Sequence, residues 1–498
     1  MDLRRTARAF GCALALALAC AAAPARDGPL PDAVRRALQA AGLPDDALGA
    51  AALPLAHADA AWTWRAAQPM QPGSAMKIVT TIVALDRLGP NQRGFTELRT
   101  AAPQQGGVLQ GDLVLRGGAD PELGLPEFWA LLLELRQQGI TAIEGDLVLD
   151  RTLYRPVRFD VGLPPFDDAP EFPYNMIPDA LNLAGSLLAL ELRAEGGAVR
   201  ATAVPPLDGL VLDASAMTLA EGRCADWSDG WQPARVRSEG AATTVVLAGS
   251  FPRGCTVRAR LQLIDRDELA ARIFATLWRG LGGRWSGRVR ADAAPAETRL
   301  LARRLARPWG EVLRPLNKTS DNALTRLLFL NLGVPAMAAQ PQATTADLAA
   351  REVEAWLVEH GVDPAGVVMD NGSGLSRSER ISPLQLAQMI RAAWRGRHSP
   401  ELLMSLPVAG VDGTMRNRLR DSPAAGWARL KTGTLRNVVA LAGVLVDDRG
   451  RPWAVAMMVN HEQASQARPV LDALVDAMAR DGVHPRPAPQ VGPQGDGP

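Results

Sequence analysis

Hydrophobic and polar positions divide the chain into three textures. From Ser74 to Leu88 the apolar residues Ile78, Val79, Ile82, Val83, Leu85 and Leu88 recur at helical spacing, between Pro72-Gly73 and Gly89-Pro90, dipeptides that punctuate helices. From about residue 91 to residue 299 short alternating runs broken by glycine take over: Gly111-Asp-Leu-Val-Leu115, an identical Gly145-Asp-Leu-Val-Leu149, Leu187 to Leu192, Gly209 to Leu212, Thr243 to Leu247 and Thr256 to Leu263. Period-two alternation predicts a middle that is mostly strand. The repeated pentapeptide is too short for a solenoid and predicts two equivalent strands of one small sheet. Beyond residue 300 helical patterns return at Asn322 to Leu332, Ala346 to His360, Pro383 to Trp394 and Ala467 to Arg480. Two apolar strands, Val438 to Val446 and Trp453 to Val459, flank the turn Asp447-Asp448-Arg449-Gly450. The pattern is that of an α/β (α+β) body, residues 26–90 plus 300–484, split by a β-rich insertion over 91–299 in which one domain is nested in another.

The ends read differently. Arg4 and Arg5 precede an uncharged run from Ala9 to Ala23, and Ala23-Pro24-Ala25 offers a small-residue cleavage site, so residues 1–25 read as a signal peptide and the mature chain as periplasmic. A lipid-anchored form would use Cys20, but Ala17-Leu18-Ala19 puts the leucine one place away from where a lipobox wants it. No later run is long and apolar enough to span a bilayer; the richest, near Leu324 to Val334, holds an Arg and an Asn. Removal of the signal leaves Cys224 and Cys255, an even pair in an exported chain, read as one disulfide. Residues 485–498 are rich in Pro and Gly and read as a disordered tail.

At 498 residues with 47% hydrophobic composition the chain can bury more than one core. A formal charge of +1 removes the broad electrostatic footprint of a nucleic-acid-binding protein. The basic residues are more informative: of 54, only three are lysines, Lys77, Lys318 and Lys431. Arginine holds its proton at any ordinary pH, whereas a desolvated lysine can give one up and act as a base. Where arginine serves almost every positive charge, each remaining lysine is a candidate for work that needs an amine. Lys77 follows Ser74 by three residues, which on a helix puts hydroxyl and amine on one face as nucleophile and base. Lys431 stands in Leu430-Lys431-Thr432-Gly433-Thr434 on a predicted strand, and Lys318 in Asn317-Lys318-Thr319-Ser320-Asp321-Asn322 at the start of the next helix.

Each motif alone has a plain explanation: an N-capped helix with a solvated lysine for Ser74-x-x-Lys77, helix capping for Ser320-Asp321-Asn322, a turn for Lys431-Thr432-Gly433. Their conjunction, in that order in an exported chain, resembles the three-motif signature of penicillin-recognising serine enzymes. The long spacing from Lys77 to Ser320, together with Gly111–Pro121, Met369–Arg377 and Gly410–Arg416, narrows the resemblance to the low-molecular-mass class C penicillin-binding proteins, the D-alanyl-D-alanine carboxypeptidase/endopeptidase family of penicillin-binding protein 4 type. It runs over most of residues 60 to 460. Asn371 departs from it, standing where the family often has a glycine-flanked acidic stretch.

The resemblance implies a transpeptidase-like domain with an antiparallel sheet flanked by helices, and a hydrolase of D-Ala-D-Ala stem peptides that β-lactams inhibit. Ser74 would be the nucleophile and Lys77 its base, kept neutral by burial and by the charge of Lys431. Ser320 would relay the proton and Asn322 hold Lys77 and substrate. Lys431, Thr432 and Thr434 would bind the substrate carboxylate, the N–H groups of Ser74 and Thr434 would form the oxyanion hole, and Gly433 would leave room at the strand edge for the peptide. Arg377 and Asp168 would contact the side-chain part of the peptidoglycan stem peptide. The five histidines have no zinc-ligand spacing and no Gly-x-Ser-x-Gly elbow exists, so neither a metal nor a cofactor is expected. Two other functions stay open: a β-lactamase, which in one class needs a glutamate that Pro178-Asp-Ala-Leu-Asn182 lacks, and a catalytically silent wall-binding protein. The sequence leaves the oligomeric state open, a homodimer included.

Overall fold

A computed structural model describes residues 27–240 and 242–480. The expected signal peptide and tail lie outside the described residues. At the centre of the body are five antiparallel strands: β1 (Leu48–Pro54), β2 (Trp62–Trp64), β3 (Arg429–Leu435), β4 (Val438–Val446) and β5 (Pro452–Asn460), in the order β3-β4-β5-β1-β2. β4 is buried from Val438 to Leu445, a continuous apolar run as expected of a strand covered on both faces. One face packs Ala440, Ala442, Ala454, Ala456 and Met458 against helices α2 (Met76–Arg87), α4 (Asn322–Gly333) and α6 (Pro383–Arg395), with α3 (Trp309–Thr319) and α5 (Thr345–Glu359) in the same core. The other face packs Val439, Leu441, Leu445, Val455 and Met457 against α1 (Asp32–Ala40) and α7 (Arg468–Ala479). The α/β class with an antiparallel sheet between helices is therefore the observed one.

Between α2 and α3 the chain builds a separate core of its own. A five-stranded sheet runs in the order Val289–Ala291, Leu147–Asp150, Leu113–Gly118, Phe95–Thr100, Arg299–Leu305. Its second and third strands hold the repeated pentapeptides, paired parallel with Leu113 beside Leu147 and Leu115 beside Leu149. Residues 188–261 form two three-stranded sheets before the chain returns to complete the first one. Cys224 and Cys255 are joined by a disulfide in this part, Cα atoms 5.5 Å apart. The middle is less purely strand than its texture predicts. Helices Leu125–Gln137 and Arg266–Gly280 bury Phe128, Leu132, Ile273 and Phe274 against the sheets.

The segment around residues 172–182 ties this region to the body. Arg151 and Arg266 both meet the fully buried Asp179, each at 2.8 Å. Arg326 of α4 donates to the carbonyls of Asn175 and Met176 at 3.2 and 3.0 Å. Tyr154 donates to Asn331 Oδ1 at 2.7 Å.

Candidate active site

Ser74 sits on a 3-10 turn, Gly73–Ala75, that leads directly into α2. The turn is held by close backbone approach on two sides. A Cβ on Gly433 of β3 would overlap the Pro72 carbonyl oxygen, and one on Gly374 would overlap the Gly73 carbonyl oxygen. Gly433 therefore makes room for the Ser74 turn, where the resemblance implied room for a bound peptide. Gly73 itself has a φ of +50°, and a Cβ there would stand 3.2 Å from the Thr434 nitrogen, so the Thr434 N–H lies against the same turn.

Three residues on, Lys77 is fully buried. Its Nζ lies 3.0 Å from Ser74 Oγ, 2.6 Å from Asn322 Oδ1 and 2.5 Å from the Ser373 carbonyl oxygen. Burial pushes the amine down to about 7, against the opposing pull of Glu379 and Asp321, while Arg326 lowers it further. Lys431, from the edge strand, is also fully buried and donates to Ser320 Oγ and to the Thr432 carbonyl, both at 2.8 Å. Burial, and next the charge of Lys77, push it well below the usual lysine range. Desolvation is the largest cause that lowers Lys77, the burial that the resemblance implied, and Lys431 is itself a lowered amine.

Ser320, Asp321 and Asn322 combine capping and site geometry. Ser320 ends α3 in the left-handed conformation, φ +61°, a strained position for a residue other than glycine. Asp321 caps α4 by accepting the Leu324 N–H at 2.9 Å. Asn322, the first residue of α4, splits its amide, with Oδ1 on Lys77 and Nδ2 donating to the Tyr174 carbonyl at 2.9 Å. Capping accounts for Asp321 only.

Lys318 is not a free amine. It lies near the end of α3, not at the start of α4 as its position suggested, and its Nζ meets both carboxylate oxygens of Asp412 at 2.8 and 2.6 Å. The turn that follows Asp412 brings Thr414 Oγ1 to 2.8 Å from the Thr432 hydroxyl. Thr432 is therefore engaged with its neighbour, whereas Thr434 is exposed toward the cleft.

That cleft encloses about 1450 Å3, and its walls include Ser74, Ser320, Asn322, Thr434, Arg377 and Asp168. The Arg377 guanidinium stands over the Phe166 ring at 5.3 Å and donates to the Phe166 carbonyl at 3.3 Å, so an insertion residue and a body residue close one wall together. The adjacent acid, Asp167, accepts from the Tyr174 hydroxyl and from Asn175 Nδ2, each at 2.8 Å. It knots the loop and leaves Asp168 facing the cleft. Sequence reasoning missed Ser373, whose contribution is a carbonyl, and Glu379, fully buried behind it. Among the described residues no group of three metal-ligating side chains converges, and no helix is long and apolar enough to cross a membrane.

With this geometry in place, comparison with known proteins decides the family: the model of the D-Ala-D-Ala carboxypeptidase 3 (S13) family matches residues 30–480. The chain belongs to that family, a family of serine-type carboxypeptidases. Relatives include the D-alanyl-D-alanine carboxypeptidase of Actinomadura sp. (strain R39), 28% identical over 84% of this chain and 79% of the relative. The D-alanyl-D-alanine carboxypeptidase DacB of Haemophilus influenzae is 27% identical over 78% and 80%. Among solved structures, penicillin binding protein 4 from Haemophilus influenzae shares the fold with a TM-score of 0.75 at 24% identity, covering 90% of this chain and 99% of that one.

Proposed function

We propose that this S13 protein is an exported serine DD-peptidase. It hydrolyses the D-Ala-D-Ala end of peptidoglycan stem peptides, and D-Ala cross-links of like chemistry, through an acyl-Ser74 intermediate. β-Lactams, cyclic acylating agents, would be captured by the same hydroxyl. The observation that carries this reading is the surroundings of the Lys77 amine. A neutral amine has two N–H bonds and one lone pair. Asn322 Oδ1 and the Ser373 carbonyl are acceptors only and take the two N–H bonds. The lone pair is left facing Ser74 Oγ, which is the orientation a base needs.

Ser74 Oγ bonds to the substrate carbonyl carbon as its proton passes to Lys77, and the N–H groups of Ser74 and Thr434 receive the oxyanion, an arrangement in which one lost donor typically costs about 3 kcal/mol. The C–N bond then breaks. Ser320 accepts a hydrogen bond from Lys431, so its own O–H is available to protonate the leaving amine while it takes up the proton that Lys77 removed from Ser74, which returns Lys77 to its neutral form for the next step. The strand Lys431-Thr432-Gly433-Thr434 receives the substrate's free carboxylate; that negative charge favours the protonated form of Lys431, and a charged Lys431 in turn favours neutral Lys77. Arg377 and Asp168 face the side-chain part of the stem peptide, and water releases the acyl group.

The reading is tested by release of D-Ala from a D-Ala-D-Ala-terminated peptide by the mature chain. Turnover that Ser74→Ala leaves intact would overturn it.

A further inference from the structure

The roles above leave unused a buried carboxylate directly behind the site. Glu379 is fully buried. Its Oε1 accepts the backbone N–H groups of Gly372, Asn371 and Asp370 at 2.7, 3.1 and 3.3 Å, and its Oε2 accepts that of Gly374 at 2.8 Å. Each of these partners is a donor. Four N–H groups directed at one carboxyl group favour its ionised form. The chain wrapped around this charge is the loop that touches α2. Gly372 accepts from the Thr80 hydroxyl at 2.7 Å, Ser373 presents its carbonyl to Lys77, and Gly374 lies against Gly73 so closely that it has no room for a side chain.

We propose that Glu379 is a positioning residue for the Ser74–Lys77 couple, folding the Asp370–Ser376 loop so that the Ser373 carbonyl holds one N–H of Lys77, and placing a buried negative charge behind that loop. The inference rests on the base role given to Lys77 above. Glu379 does not act on Lys77 alone: Asp321 and Arg326 from α4 and Lys431 from β3 also bear on the Lys77–Lys431 pair, and Asp370 and Arg326 bear on Glu379 or are themselves affected by it. Burial, with the charge of Asp370, raises Glu379 above the usual carboxylate value and the loop N–H groups oppose only part of that rise, while the Glu379 charge raises Lys77.

Charge and geometry make separable predictions. Glu379→Gln keeps the shape and loses the charge; Glu379→Asp keeps the charge and draws it back by one methylene. The rate of covalent labelling by a fluorescent penicillin is measured against pH for both and for wild type, with thermal unfolding to establish that each is folded. Glu379→Gln is expected to move the acid limb down by about one pH unit and to lower the plateau about tenfold. Glu379→Asp is expected to keep the limb and lower the plateau. A folded Glu379→Gln with the wild-type limb, or with the limb moved up, overturns the charge role. An unchanged plateau in Glu379→Asp overturns the positioning role, and decides the matter if Glu379→Gln does not fold. A wild-type protein that is never labelled at Ser74 instead overturns the reading beneath both.

Discussion

Lys431 donates to Ser320 Oγ at 2.8 Å, joining the edge strand of the sheet to the junction of two helices 111 residues earlier in the chain. The contact fixes a hydroxyl whose backbone is strained, φ +61°, at the wall of the cleft. A relay should act on the chemical step more than on binding. Ser320→Ala is expected to lower kcat for D-Ala release about a hundredfold with KM within a few-fold, general acid–base assistance being worth about 10²–10⁴. Steady-state kinetics on a D-Ala-D-Ala peptide checks this.

Lys77 must be neutral to accept a proton, and burial sets it at about 7. The acylation rate is therefore expected to rise with pH through an acid limb near that value, since protonated Lys77 predominates below it. Stopped labelling with a β-lactam across the range reads the limb directly. A limb near the usual carboxylate range would instead assign the base to an acid.

The same lowered amine affects stability. Between about pH 7 and the usual lysine value the unfolded chain holds a proton that the folded chain lacks, so stability increases with pH in that window. Relative to Lys77→Met, which cannot titrate, the wild type is expected to gain about 2 kcal/mol from pH 7 to pH 9. Denaturant melts of both proteins at the two pH values give this difference, and equal slopes would contradict it.

Gly433 and Gly374 allow three stretches of backbone to meet around Ser74. Gly433→Ala places a methyl on the Pro72 carbonyl and is expected to cost about 1–3 kcal/mol while lowering acylation by displacing the nucleophile. Gly374→Ala is expected to be worse, because it adds a left-handed φ of +80° to the overlap. Comparing melting temperatures with labelling rates for the pair ranks them.

Much of this was legible from residue order. The rarity of lysine singled out Lys77 and Lys431, and the helix beginning near Ser74 placed hydroxyl and amine together. The apolar run Val438–Val446 marked a central strand with the bounds it has in the structure. Other features left no such trace. β1 reads Leu-Gly-Ala-Ala-Ala-Leu-Pro, small residues without β preference, and is a strand only because sheet neighbours and helices on both faces crowd it. Pro315 disguises α3. Lys318 looked like a third reactive amine because its partner, Asp412, is 94 residues away. Ser373 and Glu379 act through a carbonyl and through backbone N–H groups, which no side-chain pattern encodes.

The central claim is that Ser74 is the acylated residue. Intact-protein mass spectrometry after exposure to benzylpenicillin, followed by mapping of the modified peptide, tests it most directly. One stable adduct on the peptide that contains Ser74, lost in Ser74→Ala, is the predicted result. No adduct, rapid turnover of the antibiotic without one, or an adduct on any other residue would contradict the account.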